Sequence, residues 1–485
     1  MQNKASDFHP IIEVVNDKLL EYLSESYNPE SSVLHQKPAL DLARELDLKK
    51  WIDEGGLDVS NVEELLDPYL KNTQHMHHPK YIGHQVSSHH LASGIADFIH
   101  GAINNPMAIY EMGPSAAVVE RVMINWMLSK AGWLPSQDIY DFSYSEGKGD
   151  GVFTHGGSMA NLTALLGARA AAAPEAWKEG TPKDLVVIAP EVSHYSVSRA
   201  ISIMGLGQNN ILSIPVDHEE RMIPAHVEEQ IIQAKKDNKR VMAVIANACA
   251  TTTGLYDPLE AIGEICHRHN VWFHVDGAHG ASALASNKYK HFMKGLKYAN
   301  SMIWDTHKML RTSTLAAAVL FRNTDHMLNT FQQKGSYLFH EKENVGFDVM
   351  SYAIECTKAP LATKLFWVLA AEGEQGMEKY INHQFDITKK MYDYFMSLPD
   401  FDCPYVPEAN ILCFRYTSGD NDNAYQLSIR NAIISKENFY ISSAEFQGVR
   451  YLRFTVINER TSMKDIEELV SFIRQIAPNL MSATV

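Results

Sequence analysis

The 485 residues are 45% hydrophobic and 21% charged, which describes a globular chain with enough apolar material for a large core. Forty-three Lys and Arg against 58 Asp and Glu leave a net charge of −15 and no basic cluster, which argues against nucleic acid or an anionic membrane surface as partner. Five cysteines without a CxxC pair, an N-terminus broken by Lys4, Asp7, Glu13 and Asp17, and no apolar run near the roughly 20 residues of a membrane span predict a cytoplasmic protein without disulfides, signal peptide or transmembrane helix.

Residues 1–105 read as a mostly helical, polar-rich segment containing a histidine-rich loop at 74–85, with His75, His77, His78 and His84. From 106 to 375, short apolar runs at 151–154, 185–189, 241–246, 271–275, 302–304 and 316–321 alternate with stretches such as 161–173 and 259–269 that carry Leu, Ile and Ala at helical spacing. Such alternation predicts a large α/β domain with a mainly parallel sheet covered on both faces. Residues 376–485 follow a different pattern. A helix near 380–395, strands at 411–416 and 451–456 and a last helix near 463–476 predict a small α+β domain.

Four features in the middle segment carry chemistry. The turn Thr154-His-Gly-Gly157-Ser158-Met-Ala-Asn161 follows a predicted strand and opens a predicted helix, a place where backbone amides and a hydroxyl bind phosphate. His194 begins the segment after the strand at 185–189 and offers a flat ring for stacking. Asp276 closes an apolar strand, where open α/β sheets bind ligands, and Ala278 beside it is small enough to lie against a ring. Lys308 follows the run at 302–304. A lysine amine can hold an aldehyde as a Schiff base, and a carboxylate can keep a pyridine nitrogen protonated; pyridoxal 5′-phosphate needs both. Each feature alone also fits a plain role: a strand–helix turn, a polar turn histidine, a structural carboxylate, a solvated lysine. Their order decides.

In that order, together with His78-Pro79, Ser193-His194-x-Ser196, Thr251, His274-Val-Asp276-x-Ala278, His307-Lys308 and Leu452-Arg-Phe-Thr-Val-Ile-Asn458, the chain resembles the fold-type I pyridoxal-phosphate decarboxylases of aromatic amino acids, glutamate, cysteine sulfinate and diaminobutyrate, from about residue 65 onward. The resemblance implies an N-terminal helical segment, a large sheet domain of the seven-stranded type and a small C-terminal domain. It implies a homodimer with active sites at the subunit interface. It further implies that Lys308 carries the cofactor, Asp276 pairs with its pyridine nitrogen and His194 stacks on its ring. Gly157, Ser158 and His307 then lie near the phosphate, and Thr251 and Ala278 near the ring. Tyr337 matches a mobile-loop proton donor that relatives place over the partner's site. The expected reaction is loss of CO2 from an L-amino acid. Other chemistry on the same cofactor (lyase, transaminase, oxidative deamination) and a non-catalytic regulatory homologue stay as alternatives.

The resemblance also places His84, Gln85, Tyr110 and Glu111 in the substrate pocket. Glu111 there favours a diamino acid such as 2,4-diaminobutyrate, and Tyr110 an aromatic one, while these segments offer no arginine for an acidic side chain. The chain departs from the family pattern at Met159, Cys249-Ala250, Asp305-Thr306 and Lys358-Ala359.

Overall fold

The computed structural model describes residues 5–481 apart from 87, 144, 146, 332–346, 420 and 421. Its large sheet takes β1 (Asp150–Thr154), β2 (Leu185–Pro190), β3 (Ile211–Ile214), β4 (Arg240–Asn247), β5 (Trp272–Asp276), β6 (Ser301–Asp305) and β7 (Ala317–Phe321) in the order β1-β7-β6-β5-β4-β2-β3. The five strands from β6 to β3 pair in parallel, and β7 runs antiparallel to both its neighbours.

Successive side chains on a strand face opposite ways, and here both faces are apolar. Val152, Val187, Ile245, Ile303 and Val319 pack into one core with Ala160, Ala164, Leu165 and Ala168 of the helix Gly157–Ala172. Their neighbours Phe153, Ile188, Val244, Trp304 and Leu320 pack into the opposite core with Ile262 and Ile265 of the helix Leu259–His269. Two covered faces make the strands read as uninterrupted apolar runs. The exception is β3, an edge strand whose first three residues are half-buried or exposed. It is not among the expected strands, because a short half-polar run carries no such signature.

The helix Leu361–Met396 leaves this domain and enters the next. It is broken at Gly373, where φ is 67° and ψ 173°. The expected domain boundary at 375 falls two residues after this kink.

The small domain is an antiparallel sheet of β8 (Phe401–Asp402), β9 (Ile411–Tyr416), β10 (Ser442–Phe446) and β11 (Val449–Thr455), ordered β10-β11-β9-β8. Phe395, Phe414 and Phe454 stack at its centre against the helices Asn423–Ser435 and Met463–Met481.

The N-terminal segment does not stand apart. The Ile82 amide donates to the Tyr440 carbonyl at 3.0 Å, and the Thr455 amide donates back to Ile82 at 2.8 Å. Asn458 Nδ2 donates to the carbonyls of His77 and His78 at 2.9 and 3.0 Å, and Thr461 Oγ1 to that of Pro79 at 2.6 Å. The histidine-rich loop is therefore latched onto the last strand and turn of the chain. Among the described residues no helix is long and apolar enough to cross a membrane.

Candidate active site

The parallel strands all end at one edge of the large sheet. Asn247, Asp276 and Asp305 are the last residues of β4, β5 and β6. Because β7 runs the other way, its incoming segment brings Leu315 to the same edge. These residues border a cavity of about 370 Å³, which is also lined by Gly157, Ser158, His194, Thr251, Ala278, His307 and Lys308. Every residue expected to touch the cofactor thus meets in one place, as expected for an open α/β sheet.

Asp276 is 6% exposed. Its Oδ2 accepts a hydrogen bond from Asn161 Nδ2 at 2.9 Å, and its Oδ1 one from the Ala278 amide at 3.3 Å. Asn161 spends its second amide hydrogen on Ser196 Oγ, 2.9 Å away. Ser196 in turn meets His194 Nδ1 twice, through its backbone N–H at 3.3 Å and its hydroxyl at 2.8 Å. Since the N–H can only donate, Nδ1 accepts and the ring proton sits on Nε2. Burial pushes the His194 pKa below its ordinary value, so the ring is neutral at pH 7. Behind Asn161, its Oδ1 meets His274 Nε2 at 2.9 Å, and His274 Nδ1 meets Ser301 Oγ at 2.8 Å. Ser301 Oγ also accepts from Trp272 Nε1 at 2.9 Å. Asn161 and His274 stand inside the sequence motifs without an assigned role, and their spacing alone gives no sign that they touch.

At the other end of the cavity the helix Gly157–Ala172 points its N-terminus inward. Gly156 has φ 91°, which favours glycine, and a Cβ on Gly157 would fall 2.8 Å from Asp305 Oδ2. Glycine therefore lets the free amides and Ser158 close on the cavity, where an anion is favoured by the helix end. His307 anchors itself by donating from Nδ1 to the Ala316 carbonyl at 2.8 Å. Lys308 Nζ lies 3.3 Å from Asp305 Oδ2.

Thr251 lines the cavity, and behind it lies a residue that stands inside the motif at 452–458 without an assigned role. Arg453, on β11, is 6% exposed. Its guanidinium donates to the carbonyls of Thr251 (2.7 Å), Thr252 (3.1 Å) and Gly83 (3.3 Å) and to Ser442 Oγ (3.2 Å). No carboxylate pairs with it among the described residues. Burial lowers its pKa. Cys249 also lines the cavity, but burial pushes its thiol up to about 12, so it is no nucleophile at neutral pH.

The structure does not bring His84, Gln85, Tyr110 or Glu111 into this cavity on their own chain. His84 is exposed and hydrogen-bonds through Nε2 to the Tyr440 hydroxyl. Gln85 is half-buried beside it. Tyr110 and Glu111 sit on a surface turn, Tyr110 packed edge-on to Phe347 with ring centroids 5.5 Å apart. Tyr337 lies outside the described residues.

The model of the pyridoxal-dependent decarboxylase conserved domain matches residues 52–417. The chain belongs to this family. It is a pyridoxal-phosphate-dependent carboxy-lyase acting on an amino acid, as the order of motifs implied. Its relatives include a human protein named acidic amino acid decarboxylase GADL1, 27% identical over 460 residues, or 91% of this chain and 85% of the relative. Among solved structures, mouse CSAD superposes with a TM-score of 0.87 at 23% identity, covering 96% of this chain and 98% of that one. Oryza sativa TDC with PLP and tryptamine gives a TM-score of 0.87 at 20% identity and 99% coverage of both chains. At these identities the superpositions establish the fold.

The cavity fits the cofactor on its own terms. Asn247 Nδ2, His279 Nδ1 and Asp305 Oδ1 line it, are buried, and have no hydrogen-bond partner among the described residues. Buried polar atoms of this kind ask for a ligand. A lysine amine, a carboxylate and a helix N-terminus around one cavity supply what an aldehyde, a pyridine nitrogen and a phosphate require.

Proposed function

We propose that this decarboxylase acts on an L-amino acid with an acidic side chain, in a homodimer. The observation that carries the substrate class is Arg453. A guanidinium removed from water and left without a carboxylate is costly until an anion arrives. One Nη2 hydrogen remains unclaimed by the four bonds above, and the three carbonyls and the Ser442 hydroxyl that accept the others hold the group beside Thr251. The acidic relative at 27% identity supports the same reading.

When bound, pyridoxal phosphate supplies an aldehyde for imine formation and a ring that accepts the electron pair left as CO2 departs. The chain does the rest. Gly157, Ser158 and His307 hold the phosphate, with the helix amides opposing its charge. Asp276 accepts the hydrogen bond of the protonated pyridine nitrogen. His194, neutral and fixed by Ser196, would stack on the ring, and Ala278 is small enough to leave room beside it. Lys308 would provide the amine, with the Asp305 carboxylate beside Nζ to orient it. Tyr337 returns a proton to the carbon that lost CO2.

Dimerisation is supported by the helix Leu91–Ile103, which leaves Leu91, Ile95, Phe98, Ile99 and Ile103 exposed along one side. A stripe of this kind on a surface helix needs a partner surface. A second substrate reading follows from the same surface: if Tyr110 and Glu111 complete the partner's cavity, an aromatic or diamino acid fits better.

Release of CO2 from single amino acids decides between these readings. Glutamate, aspartate and cysteine sulfinate are expected to turn over best, and preferred release from 2,4-diaminobutyrate, DOPA or tryptophan would move the assignment to the second reading.

A further inference from the structure

We propose that Trp272, Ser301, His274 and Asn161 form a one-way hydrogen-bond chain that holds Asp276 as a carboxylate and His194 in one tautomer, with His274 as the positioning residue. The proposal rests on the reading that Asp276 faces the cofactor's pyridine nitrogen.

The direction of the chain follows from its ends. The Trp272 indole can only donate, so Ser301 Oγ accepts there and turns its own hydrogen to His274 Nδ1. The imidazole proton is then on Nε2 and goes to Asn161 Oδ1. This fixes the Asn161 amide with both hydrogens pointing away, one to Asp276 Oδ2 and one to Ser196 Oγ. The Ser196 hydroxyl completes the branch by donating to His194 Nδ1. Every group in the chain is satisfied, and each bond points toward the cavity.

The opposite direction fails at Ser301. With Asp276 protonated and donating to a flipped Asn161, His274 would have to donate from Nδ1 to Ser301. The Ser301 oxygen would then accept from both sides, and its own hydrogen would have no acceptor among the described residues. His274 and Ser301 are fully buried, so water cannot relieve that loss. Burial also pushes the His274 pKa down to about 4, which keeps the ring neutral, as a one-way chain requires. The chain thus biases the shared proton away from Asp276 and onto the pyridine nitrogen, and the same amide sets the ring that stacks on the cofactor.

The test uses apo-protein reloaded with pyridoxal phosphate carrying ¹⁵N in its ring, whose NMR shift reports protonation of that nitrogen. The wild type is expected to show a protonated nitrogen. In His274→Leu, Asn161 is free to flip, and the nitrogen is expected to lose its proton at neutral pH. Cofactor affinity should fall on the order of 10-fold, the scale at which groups that orient a ligating residue act. His274→Gln, whose amide can donate to Asn161 Oδ1, should restore much of the signal. Trp272→Phe removes the end that sets the direction and should give a mixture. A folded, loaded His274→Leu with a protonated nitrogen and unchanged affinity overturns the proposal. If His274→Leu does not fold, unchanged spectra in both Trp272→Phe and Ser301→Ala overturn it equally. Failure of the wild type to bind pyridoxal phosphate would instead overturn the cofactor site itself, so the two failures are told apart.

Discussion

Lys308 lines the cavity and Arg453 lies behind its wall at Thr251, and their surroundings assign them opposite freedoms. Arg453 is clamped by four acceptors and cannot follow a substrate, so it works as a fixed charge. Arg453→Lys keeps the charge and loses the fork that grips Thr251, Thr252 and Gly83. We expect KM for an acidic substrate to rise by about 10- to 100-fold, the loss of one or two charge-assisted hydrogen bonds. The change in kcat should be smaller, and steady-state kinetics check the split. Lys308 has one polar neighbour of note, Asp305 at 3.3 Å, and is free to trade partners. Lys308→Ala should abolish CO2 release and leave no cofactor fixed to the protein by borohydride; residual turnover above background would remove Lys308 from its role.

At the level of elements, two glycines on helices act by different means. Gly157 abuts Asp305, so Gly157→Ala pushes the helix N-terminus off the cavity. We expect clearly weaker pyridoxal-phosphate binding by fluorescence titration, with the melting temperature of the apo-protein little changed. Gly373 has open space around it and a positive φ. Gly373→Ala should cost about 1–3 kcal/mol of stability through backbone strain alone, because φ 67° with ψ 173° is a conformation essentially reserved for glycine, with cofactor affinity unchanged. Elements were legible in the sequence wherever burial was complete on both faces. The strands at 185–189, 241–246 and 271–275 and the helix 259–269 appeared within a residue or two of their observed bounds. Edge strands such as β3 and β10, half-exposed and mixed in composition, had no such signature. Gly157, His194 and Asp276 were legible because each sits at a strand end or helix start, positions that local pattern reveals, whereas Thr251 and His307 entered through the resemblance to the family. The contacts of Asn161 with His274 and Asp276, and of Arg453 with Thr251, Thr252 and Gly83, were not legible, because they join residues 113 to 370 positions apart and depend on packing alone.

For the molecule as a whole, buried histidines set an acid limit. His77, His78, His274 and His279 have pKa values of about 3 to 4, pushed down chiefly by burial. In the unfolded chain they titrate near ~6.5. Below that pH the unfolded state binds more protons, so stability falls as pH drops from about 6.5 toward 4, by up to ~1.4 kcal/mol per histidine per pH unit. Denaturant midpoints measured across that window should decline steeply, and His78→Asn should flatten the slope. At the same scale, Phe98→Asp places a charge in the exposed apolar stripe. It should turn a dimer into a monomer by light scattering and lower activity with it; a wild-type monomer that is fully active would remove the second copy from the proposed function.

The latch between the histidine-rich loop and the last strand also dictates a sequence of events in time. Residues 77–83 leave the ribosome first, and the groups that hold them, Tyr440, Arg453, Thr455, Asn458 and Thr461, follow about 370 positions later. The sheet that builds the cofactor cavity lies between and can form first. The loop beside Arg453 must wait for groups about 370 positions later in the chain. A nascent chain halted before Val449 would therefore carry the cavity without Arg453 and the loop it holds. Completion of the loop would wait on groups 370 or more positions further along the chain.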